Sequence, residues 1–170
     1  RDDEQYQGLI FLAGKKNGER YTPGDLSFFE SLSSVAFIAI QNSRLYEKAC
    51  EEARRDYLTG VANRRYFYEV LEQCCDSEAY DFGSLVMIDV DDFKLYNQLY
   101  GTEAGDGALK RIAEMIRGEV GEKGIVARYS GKVFTILLPG VTESEAEALT
   151  GRISDLVREM NKASGENAMK

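Results

Sequence analysis

The sequence predicts a mixed α/β (α+β) fold, in which helices flank a sheet that contains an antiparallel hairpin. Beyond residue 56 the apolar runs and helical periodicities follow the order helix, strand, helix, helix, strand, strand, helix. The chain has 170 residues, of which 44% are hydrophobic and 29% charged, and this is typical of a folded domain with a core. A change of pattern at Asp56 separates this region from a preceding hairpin and long helix.

The first 21 residues predict a β-hairpin. An apolar run over residues 8–13 and a second arm over residues 19–21 flank the segment Lys15-Lys16-Asn17-Gly18. Asn-Gly accepts the positive φ of a tight turn, so we expect the two arms to pair as strands.

A long helix is predicted from Thr22 to about Arg55. Thr22 can cap it, Pro23 suits the first turn, and Asp25 lies three residues after the cap. Its apolar residues recur at spacings of three and four as far as Ala53, in a weak heptad pattern. Two interpretations remain: a surface helix packed on its own domain, or a parallel coiled coil that pairs two copies.

The second part of the chain alternates helical and strand patterns. Helices are predicted after Asn63 to residue 75, and over residues 91–100, 104–120 and 142–161; strands over 82–90, 125–129 and 134–138. Thr142 and Glu145 form a capping-box pattern for the last helix.

Composition excludes several classes of function. The net charge of −8, with no stripe of basic residues, argues against a nucleic-acid partner. There is no histidine, and the three cysteines form no CxxC motif, so a zinc site is not expected. No apolar run is long enough to span a membrane, and the odd cysteine count fits a reducing compartment. We therefore expect a cytoplasmic protein without a membrane segment in these residues.

An acid-rich strand end is the first candidate site. Asp89, Asp91 and Asp92 follow a buried strand, and carboxylates in such a place suit Mg²⁺ bound to a nucleotide. The alternative is that they are solvated acids at the start of the next helix. Asn97 and Asp106 add an amide and a carboxylate, a pair that suits the hydrogen-bonding edge of guanine.

Three ordered segments resemble the motifs of GGDEF domains, the family of diguanylate cyclases. They are Asp56-Tyr-Leu-Thr-Gly-Val-Ala-Asn-Arg-Arg65, Asp89-Val-Asp-Asp-Phe-Lys-Leu-Tyr-Asn97 with Gly101-Thr-Glu-Ala-Gly-Asp106, and Arg128-Tyr-Ser-Gly-Lys-Val-Phe134. The resemblance implies a nucleotidyl-cyclase-like domain over residues 56–170, whose C-terminal part is expected to be missing. Residues 1–38 are similar to the end of a GAF sensory domain, which leaves residues 39–55 as a helical linker.

The resemblance also implies roles for individual residues. The family joins two GTP molecules into cyclic di-GMP across a dimer of domains. Carried onto this chain, Asp89 and the Val90 carbonyl would bind Mg²⁺, the backbone near Phe93 and Lys94 would contact phosphates, and Asn97 and Asp106 would read guanine.

The signature loop departs from the family pattern. It consists of Ser130, Gly131, Lys132, Val133 and Phe134, so that lysine and valine replace the two acids. A protonated lysine cannot ligate Mg²⁺ and would compete with it for Asp89, and a valine can accept no proton. No catalytic residue is therefore assigned to the loop, and the two substitutions argue against the Mg²⁺ that the resemblance implies.

Three functional hypotheses follow. The leading one is a degenerate GGDEF domain that acts as a bacterial regulatory module, binds GTP or a related guanine nucleotide, and forms a homodimer through the helix over residues 23–55. The second is an active diguanylate cyclase in which Asp91 or Asp92 takes over metal binding. The third is a dimerisation scaffold without a ligand.

Overall fold

The N-terminal part of the chain is dominated by helix α1, Pro23–Ala53. The computed structural model describes residues 9–16, 18–77, 79 and 81–163, and the chain divides into two units between Glu51 and Glu52. The capping prediction for α1 is confirmed: the Thr22 N–H donates to the Asp25 carboxylate at 2.7 Å, and the Asp25 N–H donates to Thr22 Oγ1 at 3.2 Å. A hydrogen bond from Lys15, with those from Thr22, lowers the pKa of Asp25 to about 2.

The predicted N-terminal hairpin is wrong for the residues that the structure describes. Residues 9–16 and 18–21 contain a turn, closed by the Gly18 N–H donating to the Lys15 carbonyl at 2.9 Å, but no strand pairing. Gly8 and Asn17 lie outside the described residues. A pair of strands is only marginally stable in water when no further strand or helix packs against it.

The predicted α/β fold is confirmed in the second unit. Its helices are α2 (Arg64–Asp76), α3 (Phe93–Tyr100), α4 (Thr102–Val120) and α5 (Glu143–Ala163), and its strands are β1 (Ala62–Asn63), β2 (Gly83–Asp89), β3 (Ile125–Ser130) and β4 (Val133–Pro139). The sheet order is β1-β3-β4-β2. β4 runs antiparallel to both of its neighbours, and β1 runs parallel to β3.

The sheet is packed between two layers of helices. On one face, apolar side chains of β2, β3 and β4 join those of α4 and α5 in the main core, which includes Phe134, Ile112 and Leu149. On the other face α2 covers β1 and β3, with Phe67, Ala62 and Ala127 buried between them. α5 begins as predicted, because the Thr142 N–H and hydroxyl both donate to the Glu145 carboxylate, at 3.0 and 2.6 Å.

One helix start and one strand differ from the prediction for reasons visible in the backbone. α3 begins at Phe93 rather than residue 91 because Asp92 has a left-handed conformation, with φ of 53°. β1 was not predicted, since two residues carry no periodicity, and one of them, Asn63, is also the cap of α2. No helix in the described part of the chain has the length and apolar character needed to cross a membrane.

Candidate functional site

The end of β2 lies directly against the signature loop. Asp89, the last residue of β2, is the register partner of Val133, the first residue of β4. The Val90 N–H donates to the Lys132 carbonyl at 3.2 Å. Lys132 Nζ lies 3.0 Å from Asp89 Oδ1, and both side chains are about half exposed. The residue that replaces a family acid is thus paired with the carboxylate that the resemblance assigns to the metal.

Arg128 fixes the tip of the loop. Its Nε and Nη2 donate to the Gly131 carbonyl at 2.9 and 2.7 Å. Its Nη1 donates at 3.1 Å to Asp56 Oδ1, which also accepts from the N–H and hydroxyl of Thr59 at 2.9 and 2.7 Å. The segment that follows α1 is therefore joined to the loop through one guanidinium group.

The Asp56 carboxylate is held in its charged form. Burial raises its pKa and is the largest single influence. The hydrogen bonds from Thr59 and Arg128 together outweigh burial, so the pKa of Asp56 lies below its ordinary value of 3.8. The ion pair is mostly shielded from solvent, with exposed side-chain fractions of 12% for Arg128 and 15% for Asp56.

Helix α3 begins beside the Asp89–Lys132 pair. Val90 is buried, Phe93 is half-buried against the main core, and Lys94 is exposed. Asp92 occupies the N-cap position, but its side chain makes no capping hydrogen bond to the helix. The first N–H groups of α3 are therefore free of a side-chain cap at the position where the resemblance places phosphate contacts.

Asn97 packs against the first turns of α4. Its Oδ1 is buried and has no hydrogen-bond partner within the described residues. The amide lies over Gly105, where an added Cβ atom would come within 1.8 Å of Oδ1. Gly105 immediately precedes Asp106, which is exposed, so both predicted guanine-reading residues lie at the junction of α3 and α4.

The residues at the strand end do not fit a divalent cation. Lys132 occupies a position beside Asp89 where a metal would need a further anionic ligand. No group of three or more His, Cys, Asp or Glu side chains among the described residues could hold a metal ion. Asp91 and Asp92 are exposed and form no such group with Asp89.

Sequence reasoning missed the function of Arg128 and Asp56 in holding the loop. Both residues belong to the motifs quoted above, but nothing in their spacing of 72 positions indicated a contact. A second unpredicted cluster lies on the surface: the Tyr68 and Tyr129 hydroxyls are 2.8 Å apart, and the Arg64 guanidinium lies 4.4 Å from the centre of the Tyr129 ring.

A four-stranded sheet between helical layers, with a tight hairpin set against an acid-bearing strand end, defines a mixed α/β domain with a candidate site at the end of β2. The family described as "Diguanylate cyclase, GGDEF domain" matches residues 53–170, and the chain belongs to this family.

Similar proteins support this assignment. The chain is 31% identical over 158 residues to diguanylate cyclase A of Treponema denticola, covering 89% of this chain and 42% of that protein. It is 31% identical over 119 residues to the probable diguanylate cyclase DgcF of Escherichia coli K12, covering 70% of this chain and 38% of that protein. The chain thus spans less than half of the length of these relatives.

Solved structures agree with the fold. The coiled coil and GGDEF domain of DgcB from Caulobacter crescentus, in complex with c-di-GMP, matches 75% of this chain and 68% of that chain, with a TM-score of 0.68 at 26% identity. Diguanylate cyclase SiaD from Pseudomonas aeruginosa, in complex with its activator SiaC, matches 78% of this chain and 52% of that chain, with a TM-score of 0.60 at 31% identity.

Proposed function

We propose that this chain is a cytoplasmic regulatory module of bacterial cyclic di-GMP signalling, a GGDEF domain that has lost the cyclase reaction and retains a guanine-nucleotide site. The observation that carries the proposal is the ion pair between Lys132 and Asp89, 3.0 Å apart. In this pair, the carboxylate that binds the metal in the family pattern contacts a lysine side chain, which cannot ligate a metal while it is protonated.

The loss of the reaction follows from the chemistry of the loop. Val133 stands opposite Asp89 and can neither accept a proton nor hydrogen-bond a hydroxyl. General-base catalysis alone contributes typically ~10²–10⁴-fold to a rate. Phosphoryl transfer also depends on neutralising the charge of the phosphates, and a single ammonium supplies half the charge of Mg²⁺. A domain that lacks both acids should therefore turn over GTP negligibly.

Retention of a nucleotide is supported by Asn97. Its buried Oδ1 lacks a donor in the described chain, and an unsatisfied buried acceptor costs about 1–3 kcal/mol. Such a group in a native fold calls for an explanation, and a guanine N–H is a suitable donor once the amide turns toward solvent. Asp106, exposed beside Gly105, supplies the carboxylate that guanine recognition needs.

A homodimer through α1 is the second part of the proposal. None of the 31 residues of α1 is buried in the part of the chain that the structure describes. Large apolar side chains along the helix are 43–73% exposed; they are Leu26, Phe28, Leu32, Val35, Phe37, Ile38, Ile40, Leu45 and Tyr46. A second copy of the helix would cover part of this surface, in keeping with the coiled coil named in the DgcB structure.

The test is to incubate the protein at high concentration with GTP and Mg²⁺ and to follow cyclic di-GMP by mass spectrometry. GTP binding is measured on the same sample by calorimetry. We expect bound GTP and no cyclic di-GMP. A double variant, Lys132→Asp with Val133→Glu, restores the signature acids and is the matched control for the loop.

Each other outcome supports a different hypothesis. Cyclic di-GMP formed by the unchanged chain would refute the proposal in favour of an active cyclase, in which Asp91 or Asp92 must then be tested as metal ligands. Absence of both product and GTP binding would refute the nucleotide site and leave a ligand-free dimerisation scaffold.

A further inference from the structure

We propose that the Lys132 ammonium takes the place of the family's divalent cation, so that this domain binds a guanine nucleotide without any metal. This inference rests on the nucleotide site proposed above. It concerns which positive charge binds the phosphate groups of the nucleotide. It starts from the mismatch between the residues at the strand end and the ligands that Mg²⁺ requires.

The ammonium is placed by a backbone that is fixed on both sides. Before Lys132, the Gly131 carbonyl accepts two hydrogen bonds from Arg128, at 2.9 and 2.7 Å. At Lys132 itself, the carbonyl accepts from the Val90 N–H at 3.2 Å. After it, Val133 begins β4 in register with Asp89. The base of the lysine side chain is therefore held beside Asp89 by the sheet, and the contact does not depend on a freely moving surface loop.

The local charge is balanced without a metal. Two carboxylates with one Mg²⁺, as the family pattern implies, sum to zero. One carboxylate with one ammonium, Asp89 with Lys132, also sums to zero. At the metal position a nucleotide thus meets the same net charge as in a metal-loaded relative, and because Val133 replaces the second acid, this end of the sheet as a whole is less negative than the family pattern implies.

The Lys132 ammonium also has hydrogen-bond donors that its contact with Asp89 does not use. An ammonium has three N–H donors, and one of them points to Asp89 Oδ1. The side chain is 41% exposed, so the remaining donors can reach a phosphate oxygen as a charge-assisted hydrogen bond. Asp89 then orients the ammonium and contacts no phosphate itself.

The same pair opposes metal binding. A divalent cation could reach Asp89 only by displacing the ammonium, which would then lie next to a like charge. The gain would be at most two carboxylate ligands, because the described residues hold no group of three acidic or other metal-ligating side chains. Added Mg²⁺ should therefore leave nucleotide affinity almost unchanged, apart from its pairing with free GTP in solution.

The experiment measures the Kd for GTP by calorimetry on the whole chain, once in EDTA and once with Mg²⁺. We expect the two values to agree within about threefold, a difference of ~0.6 kcal/mol. The variant Lys132→Met should lose affinity in EDTA by roughly 10- to 100-fold, the size expected for one hydrogen bond between charged groups. Lys162→Met, an exposed lysine in the last turn of α5, is the matched control and should bind GTP like the parent.

A third variant gives the inference a positive readout. Lys132→Asp restores an acid beside Asp89, so its GTP binding should be weak in EDTA and recover when Mg²⁺ is added. Because Lys132 is half exposed, none of these variants should unfold the domain, and circular dichroism is the check that each retains its helices.

The outcomes separate this inference from the function on which it rests. If the parent binds GTP only in the presence of Mg²⁺, or if Lys132→Met binds as tightly as the parent in EDTA, the inference is overturned while the nucleotide site stands. If the parent binds GTP in neither condition, the nucleotide site itself is refuted, and the inference falls with it.

Discussion

Replacing Asp56 with asparagine tests whether the guanidinium link between the segment after α1 and the signature loop stabilises the domain. Asp56 Oδ1 accepts hydrogen bonds from the Thr59 N–H, the Thr59 hydroxyl and Arg128, at 2.9, 2.7 and 3.1 Å. The substitution keeps the size and shape of the side chain. It removes the negative charge that strengthens all three hydrogen bonds.

The expected cost can be worked from these contacts. A hydrogen bond to a charged group contributes ~1.5–3 kcal/mol, against ~0.5–1.5 kcal/mol between neutral groups, so each bond weakens by about 1 kcal/mol. The three bonds share one oxygen and are not additive, and the pair is largely shielded from solvent. We therefore expect a loss of about 2 kcal/mol in the free energy of unfolding, which corresponds to ~4–8 °C in Tm for a chain of this length.

Urea denaturation followed by circular dichroism measures this loss. The control is Asp155→Asn, which breaks an exposed ion pair with Arg158 at 3.4 Å and should cost no more than ~0.5 kcal/mol. If Asp56→Asn is no more destabilising than Asp155→Asn, the link does not stabilise the domain and the reasoning is refuted.

The pH dependence of the same measurement provides a second check. The folded pKa of Asp56 is lowered, so its contribution is complete above the unfolded value near 3.8 and disappears as pH falls through the folded pKa. The stability difference between the parent and Asp56→Asn should therefore be constant at neutral pH and narrow below pH 3.8. A difference that widens on acidification would contradict the lowered pKa.

Two further predictions concern the nucleotide site and the helix. Gly105→Ala should weaken GTP binding, because the added methyl group would overlap the amide of Asn97. Gly107→Ala is the control: it has open space around it and should leave GTP binding unchanged. It should also raise the free energy of unfolding, measured by urea denaturation, by roughly 0.5–1 kcal/mol. Equal GTP affinities for the two alanine variants would refute this account of Asn97. The weak heptad of α1 consists of positions 39, 43, 46, 50 and 53, which recur at spacings of three and four. Tyr46→Lys, at one of these positions, should convert a dimer to a monomer in light scattering, whereas Gln41→Lys, outside them, should not. A dimer that survives Tyr46→Lys would contradict pairing along these positions.

Much of the fold was predictable because the local signals, such as helix caps and apolar runs, agree with the tertiary packing of the same segments. The capping boxes at Thr22 and Thr142 marked helix starts that the structure reproduces. The apolar run that predicted β2 marked the strand correctly but not its burial, because only residues 84, 86 and 88 face the core while Leu85 and Met87 are exposed. The N-terminal hairpin failed because an Asn-Gly turn specifies only the reversal of the chain, whereas strands also require a partner sheet.

The candidate site was predictable in part. Motif resemblance indicated that Lys132 would lie near Asp89, and the structure places them 3.0 Å apart. The contacts of Arg128 were not predictable, because they depend on the tertiary meeting of β3 with the turn after α1. The burial of Asn97 Oδ1 without a hydrogen-bond partner could not be predicted either, because it results from the close approach of α3 and α4 that Gly105 permits.

The position of β2 at the border of the sheet affects how this domain behaves in concentrated solution. Within the described residues no strand pairs with its outer edge, and Leu85 and Met87 point away from the core with 57% and 62% of their surface exposed. Among the described residues β2 is an open edge of seven residues with apolar side chains, on which a further strand can add. Aggregation on heating should therefore begin at β2, and unfolding curves should be collected at several low protein concentrations to show that they coincide.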